Sequence, residues 1–218
     1  MQYRSRSRQG GFTLVEIAIV LVIIGLLLGG VLKGQELIEN GKVKNLKNDF
    51  QGVAAAFYSY RDRYNATPGD DVSATTAIRG WAGSVAGNGN GVVAAVNTYT
   101  VCAAGTGGEQ CTFWRHLRHT GLIAGNINNS NPQNAYGGTI AITQSAGATT
   151  GVAAGLNICM GNLPGKAAAA IDSSTDDGNP ATGNVRGVAV ANNGSPYAAA
   201  PATGGYNETA TFTVCKVL

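Results

Sequence analysis

Residues 12–32 read FTLVEIAIVLVIIGLLLGGVL, and Glu16 is the single charged residue among these 21 positions. At about 1.5 Å per residue, a helix of this length spans roughly 30 Å, the thickness of the hydrocarbon core of a bilayer. A cleaved secretory signal has a shorter apolar region of about 7–15 residues that ends in a small-residue cleavage site. The stretch therefore predicts a membrane-spanning helix that continues into the rest of the chain.

Three arginines, Arg4, Arg6 and Arg8, precede the apolar stretch, and no acidic residue lies among them. By the positive-inside rule they place the N-terminus in the cytoplasm, so the chain after Leu32 lies across the membrane. They also account for the whole net charge of +3, because the remaining basic residues equal the 12 acidic ones in number. A neutral body gives no electrostatic reason for nucleic-acid binding, and we predict that no nucleic acid is required.

The composition limits the class of protein. A chain of 218 residues has room for one generous domain or two small ones. Charged residues make up only 12% of the chain, which argues against a highly charged disordered protein. The 32 glycines follow no triplet period, which excludes collagen.

Glu16 is the anomaly in the apolar stretch. A carboxylate within a membrane segment costs a few kcal/mol on insertion scales, so the default interpretation is a functional group with a specific partner. The alternative is a position close enough to the membrane surface to reach headgroups and water. Position alone leaves both interpretations open.

The heptapeptide Gly10-Gly11-Phe12-Thr13-Leu14-Val15-Glu16, after a basic leader and before an apolar helix, resembles the processing motif of type IV prepilins and of type II secretion pseudopilins. The resemblance implies that a prepilin peptidase cuts between Gly11 and Phe12 and methylates the new amine. It also implies that Glu16 pairs with the N-terminal amine of a neighbouring subunit. Two buried charges then offset each other, and they do so only when subunits stack.

A second helical pattern follows residue 33. Apolar residues recur at spacings of three and four, as on one face of a helix, at Val43, Leu46, Phe50, Val53, Phe57, Tyr60 and Tyr64. Aromatic residues on this stripe favour packing onto a sheet over a coiled coil, and Asn65, Pro68 and Gly69 end the pattern. We therefore divide the chain into a leader (1–11), a transmembrane and fibre-core helix (12–32), its amphipathic continuation (33–64) and a globular head (66–218).

The head contains mixed short elements. Strands are predicted at 92–101, 138–143, 154–160, 185–191 and 209–217, and short helices at 112–122 and 167–173. One long helix followed by such elements predicts an α+β fold with an antiparallel sheet. The resemblance implies the same architecture, a type IV pilin-like fold in which the long helix packs on the sheet.

Four cysteines, Cys102, Cys111, Cys159 and Cys215, lie in the head. An even number in an oxidising compartment predicts two disulfides, although four cysteines permit three pairings. We favour Cys102 with Cys111, which closes a short loop, and Cys159 with Cys215, which ties an inner strand to the C-terminal strand. Pilins often staple a C-terminal loop by a disulfide, so the resemblance implies a bridge at Cys215 without fixing its partner. A zinc site lacks the expected close pair of cysteine ligands.

Two groups of polar residues are candidate sites in the head. Asp172, Asp176 and Asp177 offer oxygen ligands of the kind that calcium prefers. The resemblance to pseudopilins implies the same possibility, because several major members of that family bind calcium in a head loop. The spacing of the three aspartates does not match an EF-hand, and Asp-Gly-Asn-Pro is strong turn chemistry, so a plain turn is the favoured interpretation. His116 and His119 share a helix face, for which we predict a solvated polar surface. We identify no catalytic constellation, and no cofactor is expected apart from this calcium candidate.

These observations predict a structural subunit of a type IV pilus or pilus-like filament, and not an enzyme. Its expected partners are further copies of itself in a helical filament, the prepilin peptidase and an inner-membrane assembly platform. The precursor is expected in a bacterial inner membrane with its N-terminus in the cytoplasm, and the mature chain in an extracellular or periplasmic filament. The alternatives are a pseudopilin of a type II secretion system and a single-span anchored binding module.

Overall fold

The computed structural model describes residue 11 and residues 13–93, 95–147, 151–191, 193–201 and 203–218. Its helices are α1 (Leu14–Tyr64), α2 (Thr76–Arg79), α3 (Glu109–His119) and α4 (Gly165–Thr175). Its strands are β1 (Ile140–Ser145), β2 (Gly155–Pro164), β3 (Val185–Ala189) and β4 (Thr211–Val217). Backbone contacts divide the chain into two units, Met1–Gly41 and Lys42–Leu218.

Helix α1 is 51 residues long. The sequence predicted a helix over 12–64, and Phe12 lies outside the described residues. The helix ends where Asn65 adopts a left-handed conformation with φ of 48°. Asparagine tolerates this conformation, and Pro68 follows shortly after, so the chain turns away from the helix at this point.

In the unit Lys42–Leu218, the predicted stripe of α1 is the face that packs into the core. Its central members Leu46, Phe50, Val53, Phe57 and Tyr60 are buried. Each such side chain contributes about 1.5–3 kcal/mol when it leaves water. The stripe is thus the reason why this half of α1 forms one unit with the head.

The four strands form one antiparallel sheet in the order β1-β2-β4-β3. Side chains alternate between its two faces. The first face joins the stripe of α1 in one core, and its members include Ile142, Ile158, Met160 and Val214. The second face carries Cys159 and Cys215 with Val152 in a smaller cluster, to which Tyr99 and Tyr197 add their rings. This arrangement is an α+β, type IV pilin-like fold.

Both disulfides lie in the head. Cys102 is bonded to Cys111 at a sequence separation of 9, and Cys159 to Cys215 at a separation of 56. This is the pairing that the sequence favoured. Cys159 and Cys215 are direct partners in the β2–β4 register, so their bridge staples the centre of the sheet.

The strand predicted at 92–101 is wrong, because residues 92–93 and 95–101 contain no strand. Asn97 has φ of 60° and lies in a turn in which Thr98 N donates to Ala95 O at 3.1 Å. Asn97 N instead donates to Gln144 O at 2.8 Å, so the segment covers the edge of β1 as a turn. The weak alternation of valine, threonine and tyrosine did not reveal this turn.

The other predicted elements occur with shifted bounds. The helix predicted at 112–122 begins earlier, at Glu109, and the helical turn predicted at 167–173 extends to the whole of α4. Sequence analysis missed α2, a single turn in which Thr75 Oγ1 accepts a hydrogen bond from Ile78 N and which ends at the left-handed Gly80. Both capping residues are visible in the sequence, but four residues are too few for a helical period.

Candidate processing and assembly site

Glu16 lies in the first turn of α1 and is held there by Thr13. Thr13 N and Thr13 Oγ1 each donate a hydrogen bond to Glu16 Oε2 at 2.8 Å. Glu16 N donates in return to Thr13 Oγ1 at 3.3 Å. This reciprocal arrangement is a capping box, which satisfies amides that the start of a helix leaves without partners. The carboxylate also lies at the positive end of the helix dipole.

Only one oxygen of Glu16 takes part in this capping box. Both bonds from Thr13 end on Oε2, and Oε1 has no hydrogen-bond partner among the residues that the structure describes. The capping box therefore fixes the orientation of the side chain and leaves Oε1 available to a cation from another molecule.

Apolar side chains surround Glu16 and cover the helix from Leu14 to Leu32. They are exposed, to 86% for Leu14 and to 75% for Leu26. Continuous apolar surface of this extent marks contact with a membrane or with other proteins. Within the described residues, α1 is the one helix long and apolar enough to cross a membrane.

Part of the predicted processing site lies outside the described residues, namely Phe12, Gly10 and the three leader arginines. Gly11 is described, and a Cβ placed on it would meet no atom of the described residues within 4 Å. Cleavage between Gly11 and Phe12, and the pairing of the new amine with Glu16, stay predictions.

Asp172, Asp176 and Asp177 lie together at the end of α4, with ligand oxygens within 4.8 Å of one another. Asp172 is buried, and its Oδ2 accepts a hydrogen bond from Tyr206 Oη at 2.7 Å. Its Oδ1 accepts from Gly178 N at 3.1 Å. Burial raises the pKa of the Asp172 carboxyl above its usual value.

The two other aspartates are also bound by groups of the chain. Asp176 Oδ2 accepts from Val185 N at 2.8 Å, and Asp177 Oδ1 accepts from Asn179 N at 2.9 Å. The hydroxyl of Thr182 donates to Asp177 and lowers the pKa of that carboxyl. These bonds are those of a turn. Calcium binding by the three carboxylates stays an untested alternative to a plain turn, and calorimetric titration of the head with calcium distinguishes the two.

The solvated polar face predicted for the two histidines is wrong for His116, which is fully buried. Its Nδ1 accepts from Gly69 N at 2.9 Å, so the proton is on Nε2, which lies 3.0 Å from Val85 O and donates to it. Burial lowers the pKa of His116 to about 4. His119 lies near the surface, where its ring stacks on Trp81 at 5.3 Å. His116 thus ties two loop segments to α3.

Sequence reasoning also missed the role of Asp71. Asp71 is 2% exposed, and its Oδ2 accepts hydrogen bonds from Tyr60 Oη and from the Arg79 guanidinium, both at 2.7 Å. A buried carboxylate needs such partners to offset the loss of water. The tyrosine at the end of the apolar stripe was the available signal, because a buried phenol usually has a polar partner.

The family model of the prokaryotic N-terminal methylation motif matches residues 6–32. The N-terminal stretch of the chain therefore carries a prepilin-type motif. No curated protein and no solved structure matches the chain. The match includes Gly11, Phe12 and Glu16, and it covers the apolar half of α1, at whose start the Thr13–Glu16 capping box lies.

The matched motif is that of type IV pilin-like and pseudopilin-like proteins, and it does not belong to an enzyme family. Together with the long apolar helix, it indicates an inner-membrane-anchored precursor of the prepilin type. The motif also implies processing by a peptidase and assembly into a filament in general terms.

Proposed function

We propose that this prepilin-type protein is the structural subunit of a type IV pilus or pilus-like filament. The observation that carries the proposal is the methylation motif at residues 6–32, directly joined to a helix with an exposed apolar surface. That surface needs an apolar environment at every stage, because its exposure to water is unfavourable. Lipid supplies this environment to the precursor, and the helices of neighbouring subunits supply it in the fibre.

Cleavage after Gly11 gives the subunit an N-terminal cation at Phe12, in the same apolar layer as Glu16. A buried charge without a partner costs several kcal/mol, whereas a paired one is tolerated. Glu16 Oε1, which is not used by the capping box, accepts the amine of a neighbour. A subunit that stacks in the wrong register leaves both charges unpaired, so the pair selects the axial register of the fibre.

Substitution Glu16→Ala tests this role of the carboxylate. We expect normal removal of the leader, because the scissile bond is unchanged, and a strong loss of incorporation into fibres. Processing is followed by the gel shift of the leader, and incorporation by the amount of subunit in sheared fibres. The matched control is Glu36→Ala on the same helix, where an exposed pair with Lys33 contributes about 1 kcal/mol or less. Wild-type fibre yield in Glu16→Ala would refute the register role.

A pseudopilin of a type II secretion system is the alternative within the same subunit design. Deletion of the gene distinguishes the pilus role from the secretion role. Loss of surface fibres with normal release of secreted proteins supports a pilus. Loss of protein release with no change in surface fibres supports the secretion role. If the protein is instead an anchored binding module, deletion of its gene should give neither phenotype. Its N-terminus should also keep the leader.

A further inference from the structure

The exposed loop Gly87–Gly91 has the sequence Gly-Asn-Gly-Asn-Gly and wraps around the carboxylate of Asp70. We propose that Asn88 and Asn90 are sites of self-catalysed deamidation, with Asp70 as the base for both. The proposal is independent of filament assembly, since every group that it uses lies within the head.

Asp70 places one carboxylate oxygen on each of two glycine nitrogens. Its Oδ1 accepts from Gly89 N at 2.6 Å and its Oδ2 accepts from Gly91 N at 2.7 Å. Gly89 N also donates to the backbone carbonyl Asp70 O at 3.2 Å. Oδ1 also accepts from Asn90 N at 3.1 Å. Each of the two glycines follows an asparagine, so each nitrogen that could attack an asparagine side chain already contacts a base. Asp70 is 5% exposed, which protects these contacts from competition by water.

Both asparagine side chains are folded back over the peptide bond that follows them. Asn90 N donates to Asn88 Oδ1 at 2.9 Å, and Val92 N donates to Asn90 Oδ1 at 2.8 Å. Such Asx turns bring the side-chain amide beside the next backbone nitrogen. The same N–H groups polarise the amide carbonyls and stabilise the negative charge that develops on Oδ1 during attack.

Glycine is required at both attacking positions. Gly89 has φ of +75° and Gly91 has φ of +82°, a region that other residues rarely adopt. The absence of a side chain also leaves each nitrogen open toward the amide carbon. Residues 88–92 therefore supply two nucleophiles and two oxyanion donors, and Asp70 serves as the one base for both sites.

The chemistry at Asn88 needs only water as a co-reactant. Gly89 N forms a bond to Cγ of Asn88 and passes its proton to Asp70. The bond from Cγ to Nδ2 then breaks, and the leaving group takes the proton from Asp70 and departs as ammonia. Water opens the resulting succinimide to aspartate or isoaspartate. One water is consumed and one ammonia released, with no change in oxidation state, and Asn90 reacts in the same way through Gly91 N.

The chain contains two further Asn-Gly pairs that lack this arrangement. Asn40 and Gly41 lie inside α1, where the helical ladder takes up the glycine N–H. Asn193 Oδ1 accepts from Thr139 N at 2.9 Å, and Gly194 N donates to Ala191 O at 3.0 Å, with no carboxylate bonded to it among the residues that the structure describes. These two pairs are internal controls, because they have the same Asn-Gly sequence without the Asp70 carboxylate.

Deamidation changes the charge of the loop. Each event replaces a neutral amide by a carboxylate next to Asp70, and like charges at this distance repel each other. The turn that wraps the buried carboxylate is weakened, and the exposed surface of a nearly neutral head becomes more acidic. A chain that has aged therefore carries more negative charge at this loop than a newly made one.

Peptide mapping of the folded full chain in detergent, sampled during incubation at neutral pH, tests the proposal. We expect aspartate and isoaspartate at positions 88 and 90 to form roughly tenfold or more faster than at 40 and 193, in keeping with the effect of a positioned base. Equal rates at the four positions would overturn the proposal.

Two variants separate base catalysis from simple exposure. Asp70→Asn should slow conversion at both 88 and 90. Glu109→Gln is the matched control, because Glu109 Oε1 accepts from Asn88 N at 2.9 Å and contacts no glycine nitrogen in the described part of the loop. A loop loosened by substitution would react faster in solvent, so slower conversion in Asp70→Asn cannot come from misfolding. An unchanged or faster rate in that variant contradicts the role of Asp70.

Discussion

At the scale of single residues, the head depends on polar groups that are buried with defined partners. His116 is the clearest case, because it is neutral in the fold and bonded at both ring nitrogens. Its pKa of about 4 lies below the value of about 6.5 for an unfolded chain. The unfolded state therefore binds more protons between these two values, and the contribution of His116 to stability is lost as the pH falls from about 6.5 to about 4.

We expect this contribution to amount to about 3 kcal/mol across that range. Asp71, Arg79 and His119 face the same ring and act on its charge. The measurement is the free energy of unfolding of residues 42–218 at several pH values, for the wild type and for His116→Gln. The difference between the two should shrink toward low pH. A difference that is independent of pH would show that protonation of His116 is not coupled to folding.

At the scale of elements, α1 stabilises the head through its buried stripe. The Phe57 ring stacks on Phe113 with centroids 6.3 Å apart, whereas the adjacent Tyr58 is 53% exposed. We expect Phe57→Ala to reduce the free energy of unfolding by about 3–5 kcal/mol. Tyr58→Ala should cost less than about 1 kcal/mol, because it loses only an exposed ring contact. Chemical denaturation of residues 42–218 gives both values, and equal losses would contradict the assignment of the stripe.

Some elements of the fold could be predicted from the sequence, and others could not. The stripe of α1 was predictable because its apolar spacing is local and recurs through about six helical turns. The segment 92–101 was not, since a single left-handed residue, Asn97, converts a strand-like composition into a turn against β1. The burial of His116 was equally hidden, because its partners Gly69 and Val85 come from distant loops. The motif around Glu16 was recognisable from sequence, but its capping box required coordinates.

At the scale of the whole molecule, the two disulfides close loops of very different size. If they act by restricting the unfolded chain, the bridge Cys159–Cys215, with a separation of 56, contributes about 4 kcal/mol. The bridge Cys102–Cys111, with a separation of 9, contributes about 2.5 kcal/mol. Thermal unfolding of the two double serine variants should follow this order. A larger loss from the smaller loop would show that native packing outweighs chain entropy.

At this scale the proposed function requires that the chain is a precursor that is cut and then assembled. Mass spectrometry of the N-terminus tests it most directly, on chain recovered from cells that contain a prepilin peptidase. We predict that the chain begins with a methylated Phe12 and lacks its first 11 residues. Gly11→Val, which blocks the cleavage site, should retain the leader in the same cells. A wild-type chain that begins at Met1 with no methylated amine would refute the proposed function.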